Sequence, residues 1–143
     1  MVWNQTAKPI NSDNWEPYDT SMISTSFNDG IATSTWLQQN RGYRASIYSK
    51  TGKNQTSGDI IYGSYELNPS VNTLYWGADI GNIACYGQGP LPSNTWSRIS
   101  FRVTCGRTSF NRMYISYCST SDTSLVPIGM TCQVRNPIQV NLT

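Results

Sequence analysis

Residues 96–105 read WSRISFRVTC, and their side chains change character with a period of two. In an extended chain Ser97, Ile99, Phe101, Val103 and Cys105 share one side, while Trp96, Arg98, Ser100, Arg102 and Thr104 share the other. A strand with one apolar and one wet side belongs to an antiparallel sheet that covers a core with a single face. The alternation returns over residues 112–118, where Met113, Ile115 and Tyr117 interleave with Arg112, Tyr114 and Ser116. The connecting GRTSFN predicts a hairpin between these two strands.

Working outward, PIQVNLT at 137–143 sets Ile138, Val140 and Leu142 against Gln139, Asn141 and Thr143. Further strands are expected over 22–27, 33–38, 43–49, 60–67, 73–76 and 130–135. Turn residues separate them at 28–30, 50–59, 68–70, 89–94 and 136–137. No window carries helical apolar spacing, and no internal repeat stands out. About eight to ten short strands predict an all-β fold, an antiparallel β-sandwich of jelly-roll type. We expect one domain over 1–143, with residues 1–20 as an extended N-terminal arm.

Charged residues make up 13% of the chain and the net charge is +2. An average domain carries about 25% charged residues, so solubility here rests on neutral polar groups: 46 of the 143 residues are Asn, Ser or Thr. The seven arginines and three lysines form no basic run, which argues against nucleic acid. No apolar run is long enough to insert into a membrane. The first residues, MVWNQTAKPIN, lack the charged and apolar regions of a signal peptide. The composition is that of an extracellular or virion-surface protein. Cys85, Cys105, Cys118 and Cys132 allow three disulfide pairings, and an oxidising compartment favours two disulfides over four thiols. Three glycosylation sequons match the number chance gives for this many Ser and Thr, so they carry no weight.

The chain has no His. That removes Ser-His-Asp and Cys-His catalysis and imidazole metal ligands. The eight acids form no evident catalytic pair, no calcium loop is present, and Gly87-Gln88-Gly89 precedes no helix. We expect no enzyme activity, cofactor or metal.

Binding chemistry has better support. Sugars are recognised by aromatic faces laid on their C–H patches and by planar amide, carboxylate or guanidinium groups bonding their hydroxyls. Residues 74–96, LYWGADIGNIACYGQGPLPSNTW, hold both ingredients around glycines. The candidate ligand-binding residues are Trp76, Asp79, Asn82, Tyr86, Gln88, Asn94, Trp96 and Arg98. Packing competes for several of them: Trp76 ends an apolar run, and Trp96 is exposed or sits at a second interface. Trp36 is expected in the core, and Trp15 is exposed or clasps the arm down. The middle of the segment, residues 77–94, reads as a long polar connection of the kind that carries function.

Over its whole length, this His-free, Asn/Ser/Thr-rich β pattern with a few Cys resembles the lectin domains of bacterial fimbrial tip adhesins and the heads of viral attachment fibres. The likeness is compositional and assigns no site residues. It implies a non-catalytic attachment domain whose partner is a cell-surface glycan or glycoprotein receptor. A fibre head would be a homo-oligomer, a trimer; a pilin-like or capsid subunit would have no ligand site.

Overall fold

The two-residue periodicity resolves into two antiparallel sheets in the computed structural model, which describes residues 3–4, 9–39, 46–72, 77–80, 83–86, 90–116 and 127–143. The strands are β1 (Trp3–Asn4), β2 (Trp15–Pro17), β3 (Ile23–Asn28), β4 (Ile31–Trp36), β5 (Ser46–Gln55), β6 (Ile60–Pro69), β7 (Gly77–Ile80), β8 (Ile83–Tyr86), β9 (Ser97–Thr104), β10 (Ser109–Ser116) and β11 (Thr131–Asn141). One sheet runs β3-β4-β11-β6-β9, with β1 also paired to β11; the other runs β2-β5-β10-β7-β8. The chain is an all-β sandwich.

The core lies between the sheets. The six-stranded sheet supplies Ile23, Trp36, Tyr65, Leu67, Phe101 and Val134; the five-stranded sheet supplies Trp15, Ile47, Met113 and Ile115. Trp36 is fully buried, as its strand pattern implies, and Trp15 retains only 2% of its exposure. Exposure of Trp15 is excluded: β2 pairs with β5 and the indole is buried in the core. The Asp29-Gly30 loop joins β3 to β4 with φ of 51° and 74°, the left-handed pair a two-residue hairpin requires.

Several expectations are corrected. Residues 96–105 and 112–118 do not form a hairpin: β9 pairs with β6, while β10 pairs with β5 and β7. The connection after Cys105 crosses from one sheet to the other. Both strands have one apolar side, and placing them on opposite sheets buries those sides against each other; the alternation is the same in either arrangement. The expected loop over 50–59 is largely strand, since β5 continues to Gln55. Residues 77–94 are not one long connection, because β7 and β8 occupy part of them.

Asn136-Pro137 is not a turn between two strands but a bulge within β11. Between its pairings with Glu66 and Ser64, β11 advances from Arg135 to Ile138, one residue more than β6. Asn136 takes φ 53° there. The extra residue reverses which side chains face inward. Before it Cys132 and Val134 point to the core; after it Gln139 and Asn141 are buried, and Ile138 and Val140 lie on the outer side. Buried Asn141 donates from Nδ2 to Asp59 Oδ2 at 2.7 Å, and Thr56 N–H donates to the same oxygen at 2.9 Å. Those bonds hold the Asp59 carboxyl below its ordinary pKa.

Cys105 and Cys132 are buried free thiols, so the two-disulfide framework is not formed. Burial pushes both thiols above the ordinary cysteine value. Cys85 lies in β8, and Cys118 falls outside the described residues.

Gly63 faces inward on β6, opposite Phe101 on β9. A Cβ at Gly63 would overlap three carbons of the Phe101 ring, and Phe101 is itself held edge-on to Tyr65 at 6.2 Å. Gly63→Ala should therefore destabilise the sandwich by about 1–3 kcal/mol, the usual cost of overpacking. Thermal unfolding checks this, and an unchanged Tm would contradict the packing described.

Candidate functional site

On the five-stranded sheet, pairing sets one row of residues side by side across four strands: Glu16 on β2, Tyr48 on β5, Tyr114 on β10 and Asp79 on β7. Residues directly opposite one another in a sheet share a face. Ile47, Met113 and Ile115 take the inward positions, so Tyr48 and Tyr114 face outward, both half-buried. Tyr18, just beyond β2, is brought onto the same face when its N–H donates to Ser46 O at 2.9 Å. Its side chain is 45% exposed.

The three tyrosines form one cluster. Tyr48 and Tyr114 stack with centroids 5.3 Å apart and planes 23° from parallel. Tyr18 meets Tyr48 edge-on at 6.2 Å and Tyr114 at 6.0 Å. The Arg112 guanidinium lies 5.4 Å from the Tyr48 centroid, a cation–π distance. The Tyr48 hydroxyl donates to Glu16 Oε1. That bond, with partial burial and the nearby Glu16 charge, raises the Tyr48 pKa above its ordinary value. The result is an aromatic platform edged by a guanidinium and a carboxylate.

A bulge sets Arg112 beside this platform. Tyr114 pairs with Tyr48 and Arg112 with Gly52, so β5 spends two more residues than β10 over the same interval. The surplus leaves Met113 without a pairing partner on β5. The Ser49 side chain stands in for one: its buried Oγ accepts from Met113 N at 3.1 Å and donates to Thr51 O at 2.7 Å. One hydroxyl closes the distortion that positions the cation.

The eight residues expected from sequence are divided by the fold. Asp79 and Tyr86 lie in β7 and β8 of the five-stranded sheet, with Asp79 paired to Tyr114, and Tyr86 to Gly77, itself opposite Ser116. Those register positions belong to the tyrosine face. Trp96 and Arg98 lie instead on the outer side of the six-stranded sheet, at and beside β9. Asn94 is exposed in the turn before β9, with φ 52°. Trp76, Asn82 and Gln88 fall outside the described residues. Trp96 is half-buried, with the Arg135 guanidinium 3.9 Å from the ring centroid.

Sequence reasoning did not assemble Tyr18, Tyr48 and Tyr114. They come from three distant parts of the chain, and only pairing joins them. The signal was present locally: Tyr114 alternates with Met113 and Ile115, and Tyr48 follows the inward Ile47.

Two outcomes follow from this geometry. Ser49→Ala leaves a buried N–H unpaired and should cost about 1–3 kcal/mol of stability, read as a lower denaturation midpoint; no change would mean the bulge needs no side-chain acceptor. Glu16→Gln should lower the Tyr48 pKa toward the ordinary tyrosine value of about 10, visible as earlier tyrosinate absorbance in an alkaline titration. Because the folded pKa is raised, the stabilisation is present below the unfolded pKa and is lost as pH rises through the folded one. The Glu16→Gln variant should show less alkaline destabilisation, and titrations identical to those of the wild type would contradict the bond.

No sequence family and no curated protein matches the chain. Its fold is similar to that of a CBM4 structure, with TM-score 0.62 and 11% identity over 90% of this chain and 95% of that one. It is also similar to the N-terminal cellulose-binding domain of β-1,4-glucanase C from Cellulomonas fimi, with TM-score 0.57 and 10% identity over 98% and 95% of the two chains. A third is a CBM29-2 variant, a family 29 carbohydrate-binding module, with TM-score 0.53 and 10% identity over 90% and 82%. At these identities the likeness is one of fold, a β-sandwich of two antiparallel sheets.

Proposed function

We propose that this chain is a non-catalytic carbohydrate-binding domain, and that its ligand lies along the tyrosine face of the five-stranded sheet. One observation carries the reading: Tyr18, Tyr48 and Tyr114 cluster on an outward sheet face, beside Arg112 and Glu16. Apolar sugar faces need aromatic area, and sugar hydroxyls need planar donors and acceptors held in place. The Tyr48–Glu16 bond and the Arg112 contact restrain those groups before any ligand arrives, which lowers the ordering cost of binding. The likeness in fold to carbohydrate-binding modules supports the same class of ligand.

The ligand we assign is a neutral oligosaccharide or polysaccharide. A neutral chain brings no charge to be desolvated, and the charged groups of this face are already paired with one another. Asp79 and Tyr86 join the site through their register positions. We keep Trp76, Asn82 and Gln88, neighbours of β7 and β8 in sequence, among the proposed ligand-binding residues. The low charge and the abundance of Asn, Ser and Thr support an extracellular setting, with the glycan displayed on a cell surface. An open sheet face binds weakly on its own, and repetition of the domain or of the glycan supplies the working affinity.

Calorimetry with a panel of neutral β-linked oligosaccharides, cellohexaose among them, tests the reading. Tyr114→Ala should weaken binding of the best panel member by about tenfold or more, equivalent to about 1.4 kcal/mol, with thermal unfolding still cooperative. Unchanged affinity in folded Tyr114→Ala and Tyr48→Ala variants would remove this face from the site.

A further inference from the structure

The outer side of the six-stranded sheet carries a second constellation that the tyrosine face does not use. Across β9, β6 and β11, pairing sets Arg98, Glu66 and Arg135 in one row. Both guanidiniums approach the same carboxylate oxygen, Glu66 Oε2, Arg98 at 3.8 Å and Arg135 at 3.3 Å. Asn136 Nδ2 donates to that oxygen at 2.5 Å. Hydrogen bonding from Asn136 and Arg135 holds the Glu66 carboxyl below its ordinary pKa, so it stays ionised at neutral pH. Arg98 is fixed from a second side, donating from Nη1 to Ser64 Oγ at 2.5 Å. Trp96 lies beneath Arg135. Farther along β9, Ser100 and Arg102 are exposed on the same side, with Arg102 opposite Tyr62.

A structural ion pair needs one arginine for one carboxylate, whereas two arginines, Arg98 and Arg135, converge on Glu66 and Arg102 stands farther along the same face. The Arg98 side chain remains 48% exposed while that of Glu66 is only 17% exposed. The carboxylate is withdrawn and its cationic partners are presented to solvent. Arg98, Ser100 and Arg102 stand at every second residue, which spaces successive positions by about 6.6–6.8 Å along the strand. The pattern is a line of donors at alternate strand positions, Arg98 held by Glu66 and Ser64 and Arg102 exposed, with surplus positive charge in a chain otherwise poor in charge.

We propose that this face is a second binding surface, for a carboxylate-bearing polysaccharide of the uronic acid type. Guanidinium forks at Arg98 and Arg102 take carboxylates of separate sugar residues, with the Ser100 hydroxyl between them. Glu66 and Ser64 hold Arg98 in place, and the Trp96–Arg135 stack forms a rigid wall beside it. The face lies on the opposite side of the sandwich from the tyrosines, so one domain can hold an acidic and a neutral glycan together. A nucleic acid would engage many phosphates along a broad basic surface, which three arginines on one sheet face do not provide.

Affinity electrophoresis and calorimetry with polygalacturonate, its methyl-esterified form and single-stranded DNA test the proposal. Wild type should bind polygalacturonate, more tightly at low salt, and bind the ester and the DNA at least tenfold more weakly. Arg102→Gln, which changes an exposed residue, should weaken polygalacturonate binding several-fold; Arg98→Gln/Arg102→Gln should weaken it tenfold or more. Tyr114→Ala should leave it unchanged, so failure of the tyrosine-face reading does not touch this result. Absence of polygalacturonate binding, equal binding of the ester or the DNA, or full binding by the double variant would each overturn the proposal.

Discussion

Tyr48 and Tyr114 meet directly across β5 and β10, and much of the molecule follows from that register. The same pairing puts Ile47 opposite Ile115 on the inner side, where both are fully buried. A slip of one residue would exchange the two sets, exposing isoleucine and burying phenol. The buried aliphatic pair therefore fixes where the aromatic pair must appear. Ser49 adds the second condition. By accepting the Met113 N–H, it lets β5 carry its extra residues without breaking the ladder, and the ladder resumes with Arg112 at the edge of the platform.

The opposite sheet is organised by a different irregularity. The bulge at Asn136 turns Gln139 and Asn141 inward and leaves Ile138 and Val140 outside. The bulge also places the Asn136 amide on Glu66, the hub that gathers Arg98 and Arg135. In both sheets a local break in pairing lies next to a cation that stands over an aromatic ring on the outer surface. The two surfaces differ in their balance. Around Tyr48 the Arg112 guanidinium is matched by the Glu16 carboxylate beside a large ring area, which suits neutral sugars. Around Trp96 the arginines outnumber the carboxylate, which suits an anion.

The alternation of residues 96–105 gave an antiparallel strand with Ile99 and Phe101 inward, and the succession of such short strands along the chain gave the fold class. Trp36 was legible as core, and Asp29-Gly30 as a turn. Which strands pair was not legible, because period-two alternation is identical for a strand in either sheet. Nor could alternation anticipate that an extra residue would invert the second half of β11. Of the candidate ligand residues, the sequence placed Trp96 and Arg98 on one side of a strand, and the structure keeps them so. It gave no reason to join Tyr18, Tyr48 and Tyr114, because their proximity depends on three strands paired from distant segments. Asp79 was singled out for its glycine-rich surroundings, and what sets it beside Tyr114 is register.

We propose that a neutral sugar chain lies on the tyrosine face. Observing tyrosine ring resonances by NMR in selectively labelled protein, during titration with cellohexaose or the best neutral ligand of the panel, tests it most directly. The ring signals of Tyr18, Tyr48 and Tyr114 should shift together and saturate at one ligand concentration, while the Trp96 indole signal stays in place. Movement of Trp96 with the three tyrosine rings unmoved would contradict it.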